Sequence, residues 1–334
     1  MKVSLLKVIV FLASFLIFQI ELILGKVLLP GFGGGYLVWG IAMVLFQGLL
    51  LLGYLYVHIC NRLFRFDTFK KIQVGLFLIS FLLFPLNVEP LKNPSYQFPP
   101  VVEIVLLLSL AISLPFLILS SISVYLQVQL SRSDLQEKEN PYLLYAASNF
   151  GAFVALLTYP LIVEPALDLS TQFLVWEIIY VFLAGLFLCA QRAISPRNFD
   201  KEEGVKFILG KDQVMRWLLL SGGGAALFLA VTNELTLNLA PVPLLWVLPL
   251  GIYLLTLVLT FKQDPFCPGI IQKSFHLSVS LIVLLFLFKV TGNQPLEYLV
   301  MMLIGLKIPW YWVALVVEPL LLLLCCFVIC LVCH

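Results

Sequence analysis

The chain has 334 residues, of which 62% are hydrophobic and only 11% are charged. This hydrophobic fraction is well above the roughly half that is usual in soluble domains, and the mean hydropathy is +1.07. The composition therefore predicts an integral membrane protein whose surroundings are the lipid bilayer. It leaves no stretch for a soluble catalytic domain, and we expect no nucleic-acid partner.

Apolar runs of about 17 to 25 residues, long enough to cross a bilayer, recur along the whole chain. They lack the two-residue alternation of a membrane barrel, so each run is predicted to be a helix. The predicted fold class is all-α: a polytopic membrane protein with about ten transmembrane helices. The spans lie near residues 5–24, 36–58, 72–88, 103–129, 142–163, 171–190, 216–233, 243–261, 274–290 and 309–333.

These spans are predicted to form a single transmembrane domain, residues 1–334. Helices 1–6 lie in residues 1–191 and helices 7–10 in residues 216–334. The polar interval between them, residues 192–215, is predicted to be a connector on the cytoplasmic face.

The basic residues predict the orientation, because cationic loops are retained on the cytoplasmic side of a membrane. If the N-terminus is inside, 16 of the 20 Lys and Arg residues fall on the inner side. The other four, on the outer side, are Lys26, Lys92, Lys289 and Lys307. The pattern places both termini in the cytoplasm and the protein in the cell membrane.

The glycine run "PGFGGGY", residues 30–36, is similar to a phosphate-binding loop but stands in the wrong context. Such a loop follows a buried strand and ends in Gly-Lys-Ser/Thr, whereas this run follows a transmembrane helix on the outer face. We interpret it as a hairpin in which Pro30 ends the first helix and the glycines permit positive φ.

The C-terminal cysteines suggest a haem or metal site. Cys330-Leu331-Val332-Cys333-His334 matches the C-x-x-C-H pattern of covalent haem attachment. That attachment takes place outside the membrane, while the charge pattern puts this end inside, and buried cysteine is common in apolar helices. His58 and His276 have no cysteine partners at metal spacing, so we predict no cofactor and no metal.

Four separated blocks of the chain resemble the membrane portion of the fused spermidine synthase-like membrane proteins, also called transporter–spermidine synthase fusions. The blocks follow the same order as in that family and span about residues 15–261. They are "FQIELILGKVLLPGFGGGYLVWGIAMVLFQGLLLLGYLYVH", "LPFLILSSISVYLQ", "NPYLLYAASNFGAFVALLTYPLIVEP" and "VTNELTLNLAPVPLLWVLPLGIYLLTLVLTF".

The resemblance implies a membrane module that normally continues into a soluble domain similar to an aminopropyltransferase. The chain stops at Cys333-His334, which resembles the start of the family's "CHGELA" segment, so one interpretation is a split half or a truncated reading frame. It also departs from the family pattern at Leu22, Val124 and Ile179. With no nucleoside pocket in the chain, we predict no transferase activity for it alone.

Intramembrane acids are the candidate substrate-binding residues, because an ionised group at bilayer depth costs at least about 2.5 kcal/mol and marks a polar pathway or an ion pair. Glu21, Glu177 and Glu318 lie within spans, and Glu103 and Glu234 lie at span edges. All five fall in the outer half of the predicted topology. No catalytic residue is predicted.

Two interpretations of these acids stay open at this point. In one, they form an outward-facing site that binds or transports a small cation such as a polyamine. In the other, they pair with Lys26, Lys289 and Lys307 at the outer interface or stay protonated.

Two classes of function follow. The chain is predicted to be a transport-like or sensing module that binds a small cation. The alternative is a membrane anchor or partner subunit for a separately encoded S-adenosylmethionine-type transferase domain or a second membrane half.

Overall fold

A computed structural model describes residues 2–95, 97–133, 141–193, 210–239, 247–261, 268–291 and 318–333. Within these ranges the chain is all-helical and contains no β-strand. Six helical segments are long and apolar enough to cross a membrane: Val3–Phe32, Leu37–Leu63, Pro100–Ser131, Tyr142–Ala166, Leu169–Arg192 and Lys211–Leu235. The coarse prediction of a helical, multi-pass chain is therefore confirmed.

The chain divides into two compact units, Met1–Gly204 and Val205–His334. Their boundary falls inside the polar interval 192–215 that was predicted to connect helices 6 and 7. The assignment of both parts to a single transmembrane domain stays a prediction.

The first unit contains eight described helices. They are α1 (Lys2–Phe32), α2 (Tyr36–Leu63), α3 (Phe66–Ser80), α4 (Glu89–Lys92), α5 (Pro100–Ser131), α6 (Tyr142–Thr158), α7 (Glu164–Ala166) and α8 (Leu169–Ala193). A 3-10 turn, Phe81–Leu83, extends α3, and a π-helical turn, Tyr159–Val163, joins α6 to α7.

Helix α1 lies at the centre of this unit, where it packs against α5, α6 and α8. In the most apolar stretch of α1, 67% of the residues are buried, whereas in the corresponding stretch of α2 only 22% are buried. The approach of α6 is so close that a Cβ atom on Gly151 would collide with the backbone of Phe11. Small residues allow this packing between apolar helices, where no hydrophobic effect drives association in lipid.

The hairpin between α1 and α2 turns at glycine. Pro30 lies inside α1, so the prediction that it ends the helix was wrong. The helix ends at Phe32, and the next residue, Gly33, has a φ of +79° and donates its N–H to the Leu29 carbonyl over 3.0 Å. A left-handed residue ends a helix, and glycine adopts that conformation without a Cβ penalty, whereas proline near the C-terminus removes only one hydrogen bond.

Helices α1 and α6 run parallel, because from Ser14 onwards the residue numbers rise together along their contacts. The Ser14 and Ser148 hydroxyls lie 2.5 Å apart, and Gln19 Nε2 donates to Thr158 Oγ1 over 3.2 Å. Further along both segments, past the end of α6, the Lys26 ammonium lies 3.0 Å from the Glu164 carboxylate.

Helix α3 runs antiparallel to α8, and the pairing continues through the turn that follows α3. It connects Lys70 with Gln191, Phe77 with Phe187, Ser80 with Tyr180 and Phe84 with Trp176. The third span, predicted over residues 72–88, is therefore shifted: α3 begins at Phe66, and residues 84–88 are not helical. Pro85 explains the end, since the residue before a proline is biased towards extended backbone, and Phe84 has ψ 140°.

The second unit contains four described helices: α9 (Lys211–Leu239), α10 (Val247–Phe261), α11 (Pro268–Thr291) and α12 (Glu318–Cys333). Helix α12 packs against the other three. A buried core joins α9, α11 and α12 through Val231, Leu235, Ile282, Leu322, Leu323, Cys325, Cys326 and Cys330.

Candidate functional site: a carboxylate cavity in the first unit

The segment between α3 and α5 forms one wall of a polar cavity. After Pro85 the chain is extended, and the backbone N–H of Leu86 donates to Glu177 Oε1 over 2.8 Å. Helix α4 then begins at Glu89, with proline in its first turn, a position that needs no N–H donor. One turn later the Lys92 ammonium lies 2.8 Å from Glu89 Oε1.

The first two turns of α8 form the facing wall. Asp168 caps this helix: its Oδ2 accepts from the N–H groups of Ser170 and Thr171 over 3.1 and 3.3 Å, and its Oδ1 accepts from Thr171 Oγ1 over 2.5 Å. The Thr171 hydroxyl and then the Thr171 N–H hold the pKa of Asp168 below its ordinary value. Glu177 lies about 12 Å along α8 from its first residue, Leu169, so the helix that Asp168 caps also carries the Glu177 carboxylate.

Between these walls lies a cavity of about 260 Å³. At about 30 Å³ per water molecule, it has room for roughly nine groups of that size. Its charged groups are Glu89, Lys92 and Glu177, so its formal charge is −1 when both carboxylates are ionised. The remaining wall residues are Pro85, Leu86, Val88, Leu169, Ser170, Phe173 and Leu174.

This arrangement suits an alkylammonium ion. The Lys92 side chain already places one primary ammonium against Glu89, and apolar side chains border the carboxylates. The side chain of Glu89 is 68% exposed and that of Lys92 is 33% exposed. Exposed pairs of this kind contribute about 0 to 1 kcal/mol, so a second cation can replace Lys92 at Glu89 at little cost.

The three predicted site residues lie in different surroundings. Glu177 lines the cavity. Glu21 is half-buried on α1 and is not among the cavity-lining residues, and it forms no hydrogen bond or ion pair within the described part of the chain. Glu318 is the first residue of α12 in the second unit, and its side chain lies outside the described residues. The convergence of all three stays a prediction.

The alternative that the five acids pair with nearby lysines was wrong for Lys26. Lys26 pairs with Glu164, not with one of the five singled-out acids, and both side chains are about one-third exposed, at 33% and 35%. The side chain of Lys289 and all of Lys307 lie outside the described residues.

The two acids at span edges have separate surroundings. Glu103 is buried at the start of α5, where Oε1 accepts from Ser95 Oγ over 2.9 Å. Glu234 is half-buried on α9 in the second unit. Neither is among the residues that line the carboxylate cavity.

Sequence reasoning missed a buried amide cluster in the first unit. Gln129 and Gln191 exchange side-chain hydrogen bonds of 3.1 and 3.3 Å, and the Tyr125 hydroxyl donates to Gln191 Oε1 over 2.9 Å. Nearby on α3, Gln73 donates to Ser121 and accepts from Tyr56. The sequence analysis considered only charged residues inside the predicted spans as candidates for a site. Glutamine side chains inside those spans would have indicated this cluster.

Comparison with known proteins gives no match: no protein family, no curated protein and no solved structure is similar to this chain at a significant level. The resemblance to the spermidine synthase-like membrane proteins therefore stays a prediction that rests on the four sequence blocks.

Proposed function

We propose that this chain is a multi-pass protein of the cell membrane that binds a small organic cation of the polyamine class in the carboxylate cavity. One observation carries the proposal: Glu177 and Glu89 stand on the two walls of one cavity that already accommodates the alkylammonium group of Lys92. Transport of that cation, and the alternative role as an anchor for a separate transferase domain, are further predictions.

A topology of about ten spans with both termini in the cytoplasm belongs to this proposal. Within the first unit, α3 is the shortest helix proposed to cross, and its 15 residues are fewer than the usual minimum of about 17. With the 3-10 turn that extends it, the helical segment is about 28 Å long, close to the roughly 30 Å thickness of the hydrocarbon core.

The packing directions support a crossing by α3. Helices α1 and α6 are parallel, so an odd number of crossings lies between them. Helices α2 and α5 account for two crossings, and α3 supplies the third. Without it, α1 and α6 would cross in opposite directions.

This topology places the cavity on the outer side. The loop after α3, the start of α8 and the "PGFGGGY" hairpin then share one face of the membrane. Lys70, Arg132 and Arg192 lie at the opposite ends of their helices, as expected for the cytoplasmic side. A cation from outside therefore reaches Glu89 without crossing the hydrocarbon.

Binding of radiolabelled spermidine to the purified full chain in lipid nanodiscs tests the proposal. Glu177→Gln removes one of the two carboxylate charges, and we expect about tenfold weaker binding, equivalent to about 1.4 kcal/mol. Glu164→Gln is the matched control, because Glu164 is an acid of the same unit that lies outside the cavity wall. Equal affinity of the two variants, or no binding by the unsubstituted chain, would contradict the proposal.

A further inference from the structure

We propose that Cys326 and Cys330 form a two-thiol site for a soft monovalent metal ion, Cu(I) or its analogue Ag(I). The site lies in the core of the second unit and is independent of the cation proposed for the carboxylate cavity. It also differs from the Cys330-x-x-Cys333-His334 pattern, since its two ligands are four residues apart on α12.

The two sulfur atoms are already positioned next to each other. Cys326 Sγ and Cys330 Sγ lie 3.8 Å apart, and the two residues are 1% and 0% exposed. A spacing of four residues places two side chains on one face of a helix. The same spacing positions two histidines on one zinc ion in helical metalloprotease motifs.

The separation of the sulfur atoms fits a shared ion. With metal–sulfur bonds of about 2.3 Å, two sulfur atoms at this distance subtend an angle of roughly 110° at the metal. A linear arrangement needs a separation of about 4.6 Å, which a small rotation of either side chain supplies.

The number and type of ligands select the metal. Within the described residues no group of three or more His, Cys, Asp and Glu side chains forms a metal site, so the four-coordinate site that zinc prefers is not provided there. The adjacent Cys325 is also buried, but neighbouring residues of a helix do not face each other. Two sulfur ligands suit Cu(I), because soft thiolates select soft ions.

The electrostatics of the core favour a monovalent ion. The surrounding side chains are apolar, among them Val231, Leu235 and Ile282, and an uncompensated charge in such a core is costly. When the ion binds, one thiol releases its proton to solvent, and the resulting thiolate, the second, neutral thiol and the monovalent cation form a neutral complex. The Cys330 thiol also lies 3.8 Å from the Gly224 carbonyl oxygen, which orients its sulfur.

Metal retention by the purified full chain tests the site. The protein is loaded anaerobically with Ag(I) in detergent, desalted and analysed for silver. We expect Cys326→Ser and Cys330→Ser each to lose the same bound ion that the double variant loses, because both sulfur atoms hold it. Cys60→Ser is the control, since Cys60 is a buried free thiol of the first unit. Equal silver in the unsubstituted chain and the double variant would overturn the proposal.

A second measurement does not depend on whether the variants fold. X-ray absorption of the unsubstituted chain loaded with one equivalent of Cu(I) should show two sulfur neighbours and no nitrogen neighbour. A single sulfur neighbour, nitrogen ligation or failure to retain Cu(I) would overturn the two-thiol site.

Discussion

Glu177 on α8 accepts a hydrogen bond from the backbone N–H of Leu86 over 2.8 Å, although the two residues are 91 positions apart. The bond fixes the non-helical segment after α3 against α8, where helical hydrogen bonding has ended. It uses one carboxylate oxygen of a residue that also lines the cavity. Structural support and negative charge in the cavity therefore come from the same side chain.

The two roles of Glu177 are separable by substitution. Glu177→Gln keeps a carbonyl oxygen that accepts from Leu86, so we expect thermal unfolding close to that of the unsubstituted chain. Glu177→Leu leaves this N–H without its partner, which costs about 1 to 3 kcal/mol. Thermal unfolding in detergent measures both. Glu89→Leu, at an exposed position, is the control, and equal unfolding temperatures for both Glu177 variants would contradict the assignment of this bond.

The stability of the first turn of α8 should depend on pH, because Asp168 caps this helix. Hydrogen bonds in the folded state lower the pKa of this carboxyl group, so the cap is fully formed above the unfolded value of about 3.9. It is lost as the pH falls through the lower folded-state pKa. The protection of the Ser170 and Thr171 amides against hydrogen exchange, relative to the intrinsic exchange rate at each pH, should therefore fall at acidic pH.

Asp168→Asn separates charge from capping. The amide oxygen still accepts the backbone hydrogen bonds but does not titrate, so we expect the acid-dependent loss of protection at Ser170 and Thr171 to disappear. The same acid dependence in the variant would show that another group controls this helix start.

Close packing at Gly151 predicts a contrast between two glycine substitutions. Gly151→Ala introduces a Cβ that collides with the backbone of Phe11, whereas a Cβ on Gly185 meets open space. Alanine is the better helix former at both positions, so the difference between the variants reports packing. We expect Gly151→Ala to lower stability by about 1 to 3 kcal/mol relative to Gly185→Ala, measured by thermal unfolding. A Gly151→Ala variant at least as stable as Gly185→Ala would contradict the α1–α6 contact.

The crossing by α3 is testable from its two ends. Single cysteines replace Arg65, just before α3, and Asn87, after its turn, and an impermeant thiol reagent is applied to intact cells. We expect labelling at Asn87 and at Gly34→Cys, and labelling at Arg65 only after the membrane is opened. The unsubstituted chain controls for native thiols. Labelling of Arg65 and Asn87 from the same side would show that α3 does not cross.

The sequence analysis predicted the features of the fold that depend on local hydrophobicity, which are the helices and the turn between α1 and α2. The apolar runs predicted helices at most of the described positions, and the glycines predicted the turn at Gly33. Pro30 was misplaced as the end of α1 because a proline near a C-terminus removes only one hydrogen bond. The chain leaves helical structure at Phe84, before the predicted end of the third span, because Pro85 favours extended backbone there.

Contacts between segments that are distant in the chain could not be predicted from the sequence. Glu177 was singled out by the cost of intramembrane charge, but nothing near it in the chain indicates Leu86 or Glu89 as neighbours. One interpretation paired Lys26 with one of the five intramembrane acids, but its partner is Glu164, which the parallel packing of α1 and α6 brings close to it. These pairings depend on the arrangement of helices, which hydrophobicity alone does not specify.

Photo-crosslinking of a bound amine tests the central claim most directly, because it locates the ligand on the chain. A spermidine analogue with a photoreactive group is irradiated with the full protein in nanodiscs, and the labelled peptides are identified by mass spectrometry. We expect labelling within residues 85–92 and 169–177, removed by excess spermidine and strongly reduced in Glu177→Gln but not in Glu164→Gln. Labelling confined to other segments, or labelling that excess spermidine does not remove, would contradict cation binding in the carboxylate cavity.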